Sequence, residues 1–409
     1  MLTPLSLPAR HAAQTLAAMT AAEKNAALAA ISAALDAARA HIFAANAEDL
    51  RLGRLAGLRE SLLDRLLLNA ARLDAMLEGI AQVIALPDPI GELLAESTAA
   101  SGIKIQKTTV PMGVIGMIYE ARPNVTVDAA VLCLKAGSAV ILRGGKEAIH
   151  SNTALVKAMQ SALPSCPAAI QLVTDTTRQS AAAMMHAKGT LDLLIPRGGA
   201  GLIQTVVRES TVPVIETGAG VCHTFVDQSA DLSMAAAIAA NAKCSRPSVC
   251  NAMETLLVHQ AVAADFLPMA YAAMAPHNVE FRGCETTCAL LPQAIPTTNE
   301  DYRTEHGDYI CNVKVLPHLP AAIDWINTHN TKHSECIVTE SAENAARFCN
   351  QVDAAAVYHN VSTRFTDGFE FGLGAEIGIS TQKTHPRGPM GLREICTYKY
   401  HVTGRGQTR

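Results

Sequence analysis

The stretch "NAKCSRPSVCN", Asn241 to Asn251, sets Cys244 and Cys250 six residues apart around a proline turn, and the apolar run Met253 to His259 follows directly. Cys250 sits in a polar context between a helix end and a strand start, with Arg246 nearby. Backbone N–H groups in such a turn and a neighbouring cation favour thiolate over thiol. A thiolate there is suited to a catalytic role. The competing reading is a buried thiol, the commonest fate of cysteine, and spacing alone leaves both open. Cys244 belongs to the preceding helical pattern with Ala237 and Ala240, so it reads as a packed neighbour. Cys222 in "GAGVCH" is a further thiol of interest, and His223 beside it reads as closing a strand.

A second group of residues suits a nucleotide. In "LLIPRGGAGLIQTVV" a buried strand runs into Gly198, Gly199 and Gly201 and then into a helix. Glycines there admit a phosphate to the N–H groups at a helix start, although an ordinary tight turn has the same pattern. "ILRGGKEAIHSN" ends another strand with Arg143 and Lys146, at the edge where a doubly wound sheet receives ligands. Those two cations suit the 2′-phosphate of NADP, against the plain alternative of solvated surface charges. Gly372 and Gly374 in "FGLGAEIG" match no strand-to-helix context and are set aside. "CETTC" (Cys284, Cys288) and "HNTKH" (His329, His333) have ligand-like spacing but lack the second pair or HExxH glutamate of a zinc site, so no metal is expected.

Helical periodicity dominates the first 85 or so residues, with "TAAE" at Thr20 to Glu23 as a capping box opening a helix to about Ala40. "GIKIQKTTVPMGVIGMIYE" reads as strand, turn, strand. From about Ala139, short apolar runs alternate with helices, the signature of a parallel sheet covered on both faces. A second alternating block starts near Asp231 and ends near Asn360. The expected division is a nucleotide-binding domain over 1–230, a second α/β domain over 231–360, and a tail over 361–409 that returns to the first domain and ends in oligomerisation strands. The chain has 409 residues, 17% of them charged, with a formal net charge of −4, which argues against electrostatic attachment to nucleic acid or an anionic membrane. No apolar run reaches the roughly 18 residues of a membrane span, and "MLTPLSLPARHAAQ" lacks the charge and apolar pattern of a leader. Eleven cysteines without a framework spacing suit a reducing compartment, so a cytoplasmic protein is expected.

Long ordered blocks carry a resemblance: "VPMGVIGMIYEARPNVTVDAAVLCLKAGSAVILRGGKEA", "LLIPRGGAGL", "RPSVCNAMETLLV", "STRFTDGFEFGLGAEIGISTQK" and "RGPMGL". Together they resemble the γ-glutamyl phosphate reductase family of the aldehyde dehydrogenase superfamily over nearly the whole chain. The resemblance implies an α/β fold with a Rossmann-type cofactor domain, an α/β catalytic domain and a β oligomerisation element. That element would be the strand pair near 92–111 with the C-terminal strands. The implied reaction is NADPH-dependent reduction of L-glutamate 5-phosphate to L-glutamate 5-semialdehyde and phosphate, the second step of proline biosynthesis from glutamate, through a cysteine thioester.

By the same match, the nucleophile falls on Cys250 and the oxyanion-stabilising asparagine on Asn124 in "EARPNVT". The glutamate that activates water in hydrolytic relatives falls on Glu216, here a ribose or proton partner on the cofactor side with Arg143, Lys146, Gly198, Gly199 and Gly201. Arg364, Arg122 and Arg246 are the substrate's expected anion partners, since a planar guanidinium pairs bidentately with carboxylate or phosphate. A homo-oligomer is implied, and a glutamate 5-kinase is the candidate partner. An acyl-phosphate or acylating dehydrogenase of another chain length, or a silent scaffold on the same fold, are the rivals.

Overall fold

The computed structural model describes residues 3–409; Met1 and Leu2, with which the N-terminal reading began, lie outside the described residues. In chain order come α1 Thr3–Ala18, α2 Ala21–Ala37, α3 Arg39–Leu55, α4 Glu60–Leu66, α5 Ala70–Ala85, β1 Leu93–Thr98, β2 Lys104–Pro111, β3 Val114–Tyr119, α6 Pro123–Lys135, β4 Ala139–Arg143, α7 Ile149–Ser161, β5 Ile170–Leu172, α8 Arg178–Met185, β6 Leu193–Arg197 and α9 Ala200–Glu209. They continue with β7 Cys222–Val226, α10 Leu232–Cys244, β8 Met253–His259, α11 Ala263–Met274, β9 Glu280–Gly283, α12 Glu285–Leu290, β10 Ile295–Pro296, β11 Ile310–Leu316, α13 Leu319–His329, β12 Ser334–Val338, α14 Ala342–Gln351 and β13 Ala356–His359. The short strands β14 Ile379–Ser380 and β15 Gly388–Pro389 precede β16 Cys396–Thr403.

Two compact units share this chain. The first comprises 1–217, 372–378 and 389–409; the second comprises 218–371 and 379–388. The division differs from the expected boundary at 230. β7 is an interior strand of the second unit's sheet, paired in parallel with β8 on one side and β12 on the other. His223, read from the sequence as closing a strand, is instead the second of its five residues. The tail also divides, so that 361–371 and 379–388 stay with the second unit.

In the first unit, Thr20 opens α2 as the expected capping box: its N–H donates to Glu23 Oε2 at 2.7 Å and its hydroxyl accepts the Glu23 N–H. The helix stops at Ala37 rather than near Ala40, because Ala38 leaves helical geometry, and α3 starts afresh at Arg39. Leu28, Ile31 and Leu35 form the buried stripe of α2. The expected strand–turn–strand is present, but its strands serve different sheets. β2 lies between β1 and β16 in an antiparallel three-stranded sheet, while β3 enters a parallel sheet of order β5-β4-β3-β6. All six residues of β3 are buried, as a strand covered on both faces requires. "VPVI" forms no strand; Val214 alone bridges to Leu194.

The second unit is a seven-stranded parallel sheet of order β10-β9-β11-β8-β7-β12-β13. Lys243, one residue from the end of α10, and Glu254, the second residue of β8, pair at 2.9 Å with both side chains wholly buried. Glu254 also accepts the Gly307 N–H. This pair clamps the two ends of the turn that carries Cys250. Burial pushes the Glu254 carboxyl up to about 7, against the Lys243 charge that holds it down. Removing one member of a buried pair strands the other charge. Lys243→Met should therefore lower unfolding stability by about 3 to 5 kcal/mol in denaturant titration. The double variant Lys243→Met/Glu254→Leu should recover most of that loss.

Candidate active site

Cys250 is half-exposed in the turn between α10 and β8, and the backbone around it is tightly held. A Cβ on Gly220 would fall 1.4 Å from the Cys250 carbonyl oxygen, so glycine alone permits that approach. The Cys222 thiol donates to the same oxygen at 3.2 Å. Cys222 is fully buried, and desolvation raises its thiol well above the ordinary range, which leaves it a donor rather than a nucleophile. Cys244 is the buried last residue of α10, and burial raises its pKa as well.

Asn251, 4% exposed, ties this turn to a second one. Its Nδ2 donates to the carbonyls of Arg364 at 3.2 Å and Thr366 at 3.0 Å. Its Oδ1 accepts from Arg364 Nη1, and its backbone carbonyl accepts from Thr363 Oγ1 at 2.7 Å. Arg364 Nε donates to Ser245 Oγ at 3.0 Å. The Arg364 pKa is lowered, first by burial and then by the like charge of Arg246, while Asp367 and Cys250 act in the opposite sense. Two guanidinium groups in repulsive range, with a nucleophile in electrostatic reach of one, favour an incoming anion.

In the first unit the strand order reverses at β3 and β6, since α6 leads from β3 to β4 while β6 lies on the other flank. A doubly wound sheet receives ligands at such a reversal, beyond the carboxyl ends of the strands. Glu120 follows β3 there, and Gly198 and Gly199 follow β6. The Gly199 N–H donates to Glu120 Oε2 at 2.9 Å, and a Cβ on Gly198 would come within 2.6 Å of that oxygen. A carboxylate of the chain itself thus holds the start of α9, where the sequence suggested a phosphate. A Cβ on Gly201 would meet nothing within 4 Å, so its glycine is not sterically required. Ala121 has φ of +32°, a strained value for a residue with a Cβ, and its N–H donates to Glu147 Oε1 at 2.7 Å.

Arg143 is half-buried and committed to a neighbouring loop, donating to the carbonyls of Thr176 at 2.7 Å and Thr177 at 3.0 Å. Lys146, exposed in the 3₁₀ turn after β4, is the cation that projects from this edge. Asn124, in the first turn of α6, donates to Asp128 Oδ2 at 3.1 Å. Burial raises the Asp128 carboxyl to about 6, with the Asn124 hydrogen bond and the Arg197 charge opposing. Arg122 is the half-buried N-cap of α6, and Glu216 is half-buried beyond Val214. Arg246 is exposed beside Ser245. The structure therefore brings Cys250, Arg246 and Arg364 into one neighbourhood of the second unit. Asn124, Lys146, Gly198 and Gly199 stand at or near strand ends of the first.

Sequence reading missed Asn251, Glu120 and Asp128. A polar residue directly after the nucleophile and a glutamate at a strand's end were the available signals. The metal-like pairs are accounted for otherwise: His329 stacks on Trp325 with ring centroids 3.7 Å apart, Cys284 Sγ meets Thr287 Oγ1 at 3.3 Å, and Cys288 Sγ bonds the Gly283 carbonyl. Among the described residues, no group of three or more His, Cys, Asp or Glu side chains is arranged to hold an ion.

Residues 7–286 match the model of the aldehyde dehydrogenase family. A γ-glutamyl phosphate reductase of Moorella thermoacetica is 54% identical over 98% of this chain and 97% of its own. One from Enterococcus faecalis is 53% identical over 100% and 99%. Among solved structures, the γ-glutamyl phosphate reductase of Thermotoga maritima superposes with a TM-score of 0.97 at 46% identity, covering 100% of this chain and 99% of that one. A probable aldehyde dehydrogenase of Listeria monocytogenes, 15% identical with a TM-score of 0.72 over 99% and 97%, shares the fold. The chain belongs to the aldehyde dehydrogenase family. Within it, identity over the full length sets the chain among the γ-glutamyl phosphate reductases.

The Asp128 shift has a measurable consequence. A carboxyl whose folded pKa lies above its unfolded value binds its proton more tightly in the native state, so the contribution of Asp128 to stability is fully present below about pH 4 and is lost as pH rises to about 6. Asp128→Asn should lack that slope, so the difference between the two proteins' stability–pH curves should change by up to about 3 kcal/mol across this range. Parallel curves through this range would contradict the assignment.

Proposed function

We propose that this chain reduces L-glutamate 5-phosphate to L-glutamate 5-semialdehyde with release of phosphate, using NADPH, in the second step of proline biosynthesis from glutamate. The observation that carries the reading is the Cys250 turn fastened to Arg364, with Arg246 alongside: a nucleophile next to a carboxylate or phosphate anchor. Full-length relatives at 53–54% identity bear the matching name.

An acyl phosphate already carries a good leaving group, so the enzyme must capture the acyl carbon before water does. Cys250 Sγ bonds to that carbon, the carbon–oxygen bond to phosphate breaks, and one proton ends on the departing phosphate. A thioester remains. Negative charge that gathers on the carbonyl oxygen in this step calls for preorganised donors; the backbone N–H of Cys250 and the Asn124 amide are the candidates, and such donors are worth about 3 to 4 kcal/mol. Asp128 fixes the Asn124 amide. Clamping of the Cys250 carbonyl by Gly220 and Cys222 sets the direction of the backbone around the nucleophile. After reduction, the thiohemiacetal on Cys250 collapses, releasing the aldehyde and returning the thiolate. Hydrolysis would waste the thioester, so Glu216 is assigned to the cofactor side and not to water activation.

Bound nicotinamide supplies the hydride for that reduction. The residues present fit a dinucleotide: a strand-order reversal with Gly198 and Gly199 at one strand end and the exposed Lys146 at another. Lys146 is the proposed partner of the 2′-phosphate, with Arg143 acting through the loop it holds. We assign oligomerisation to the three-stranded sheet, which exposes Leu93, Leu94, Tyr398, Tyr400 and Val402. The proposed setting is a cytoplasmic homo-oligomer supplied with its labile substrate by a glutamate 5-kinase.

The deciding assay is the reverse reaction, NADPH formation from glutamate semialdehyde and NADP with and without phosphate. Phosphate-dependent turnover is expected in the wild type, absent in Cys250→Ala and largely intact in Cys244→Ala. Turnover without phosphate would indicate a hydrolytic dehydrogenase instead. In cofactor titrations, NADP should bind more tightly than NAD. Lys146→Ala should narrow that preference about ten-fold or more, the worth of a charge-assisted hydrogen bond.

A further inference from the structure

Resting on that reading of the substrate, we infer that Asn251 and Ser245 act as a ruler that selects the acyl chain length. Asn251 is the residue after the nucleophile, and both ends of its amide are spent on the turn that carries the anion anchor: Nδ2 on the carbonyls of Arg364 and Thr366, Oδ1 on Arg364 Nη1. The Thr363 hydroxyl closes the same junction onto the Asn251 carbonyl. Ser245, at the other end of the Cys250 turn, takes the Arg364 Nε–H. Two of the three guanidinium nitrogens are thereby fixed to residues flanking Cys250. Nη2, with the second hydrogen of Nη1, is left as an end-on fork for a carboxylate.

The distance from Sγ to that fork is thus set by hydrogen bonds inside one unit, not by two independent loops. A substrate that places its carboxylate on the fork presents its activated carbon to Cys250 only if the carbon chain between them has the matching length. The four-carbon aspartyl homologue, one methylene shorter, must give up either the anchor or the line of attack. Asn251 and Ser245 never need to touch the substrate; they are positioning residues that act through Arg364.

The test measures phosphate-dependent NADPH formation by the full chain with glutamate semialdehyde and with aspartate semialdehyde, alongside the rate at which iodoacetamide alkylates Cys250. The wild type should prefer the five-carbon aldehyde by about 10- to 200-fold, the usual reach of one methylene. Asn251→Ala should cut that preference about ten-fold or more, chiefly through a higher KM for glutamate semialdehyde, with alkylation nearly unchanged. Ser245→Ala should move the ratio the same way by a smaller factor. Ser245 is exposed, so this variant decides the matter if Asn251→Ala does not fold. Equal losses on both aldehydes with an unchanged ratio would overturn the ruler and leave Asn251 a purely structural residue. Failure of the wild type to use glutamate semialdehyde at all would instead strike the substrate reading itself.

Discussion

A reactive thiol is useful only if the backbone around it does not wander, and in this chain that constraint is met by hydrogen bonds to the peptide groups of Cys250 and Asn251. One carbonyl is pinned by a thiol and a bare glycine, the next by a threonine hydroxyl, and the intervening side chain is saturated. Outward from there, α10 and β8 are locked by a buried lysine–glutamate pair. The parallel sheet provides the rigid floor. Each of these contacts spends a buried polar group, which is costly unless fully satisfied. Polar cores of this kind are therefore concentrated where geometry matters more than raw stability.

Charge is arranged differently in the two units. In the second, Arg364 feels the like charge of Arg246, and Cys250 lies within electrostatic reach of it. The first shows the reverse economy: Glu120, Glu147 and Asp128 occupy donors at the strand ends, and the strained Ala121 is held by one of them.

Features resting on local periodicity were readable from the sequence. The capping box at Thr20, the buried strands β3, β4 and β8, and the position of Cys250 between helix and strand all depend on neighbours within a few residues. What escaped depends on distant partners. His223 was read as closing a strand, whereas it lies near the start of β7 with its ring held by Glu335, 112 residues away. Arg143 resembled a ligand cation because the carbonyls it serves lie more than thirty residues downstream. Asn251 was missed because its partners are 113 and 115 residues on.

The path of β2 bears on the order in which the protein is made. Its partner β16 lies nearly three hundred residues later, with Lys104 facing Thr403 across the ladder. The second unit is almost one continuous segment, 218–371, inserted before that partner emerges. During synthesis on a ribosome the unit begun first is therefore completed last. Its outer sheet must wait, with β1 and β2 as an unfinished ribbon, until the rest of the chain has been translated. Long-range pairings of this kind form slowly and leave strand edges open meanwhile, so the growing chain carries its greatest risk of mispairing in the interval between translation of the two strands.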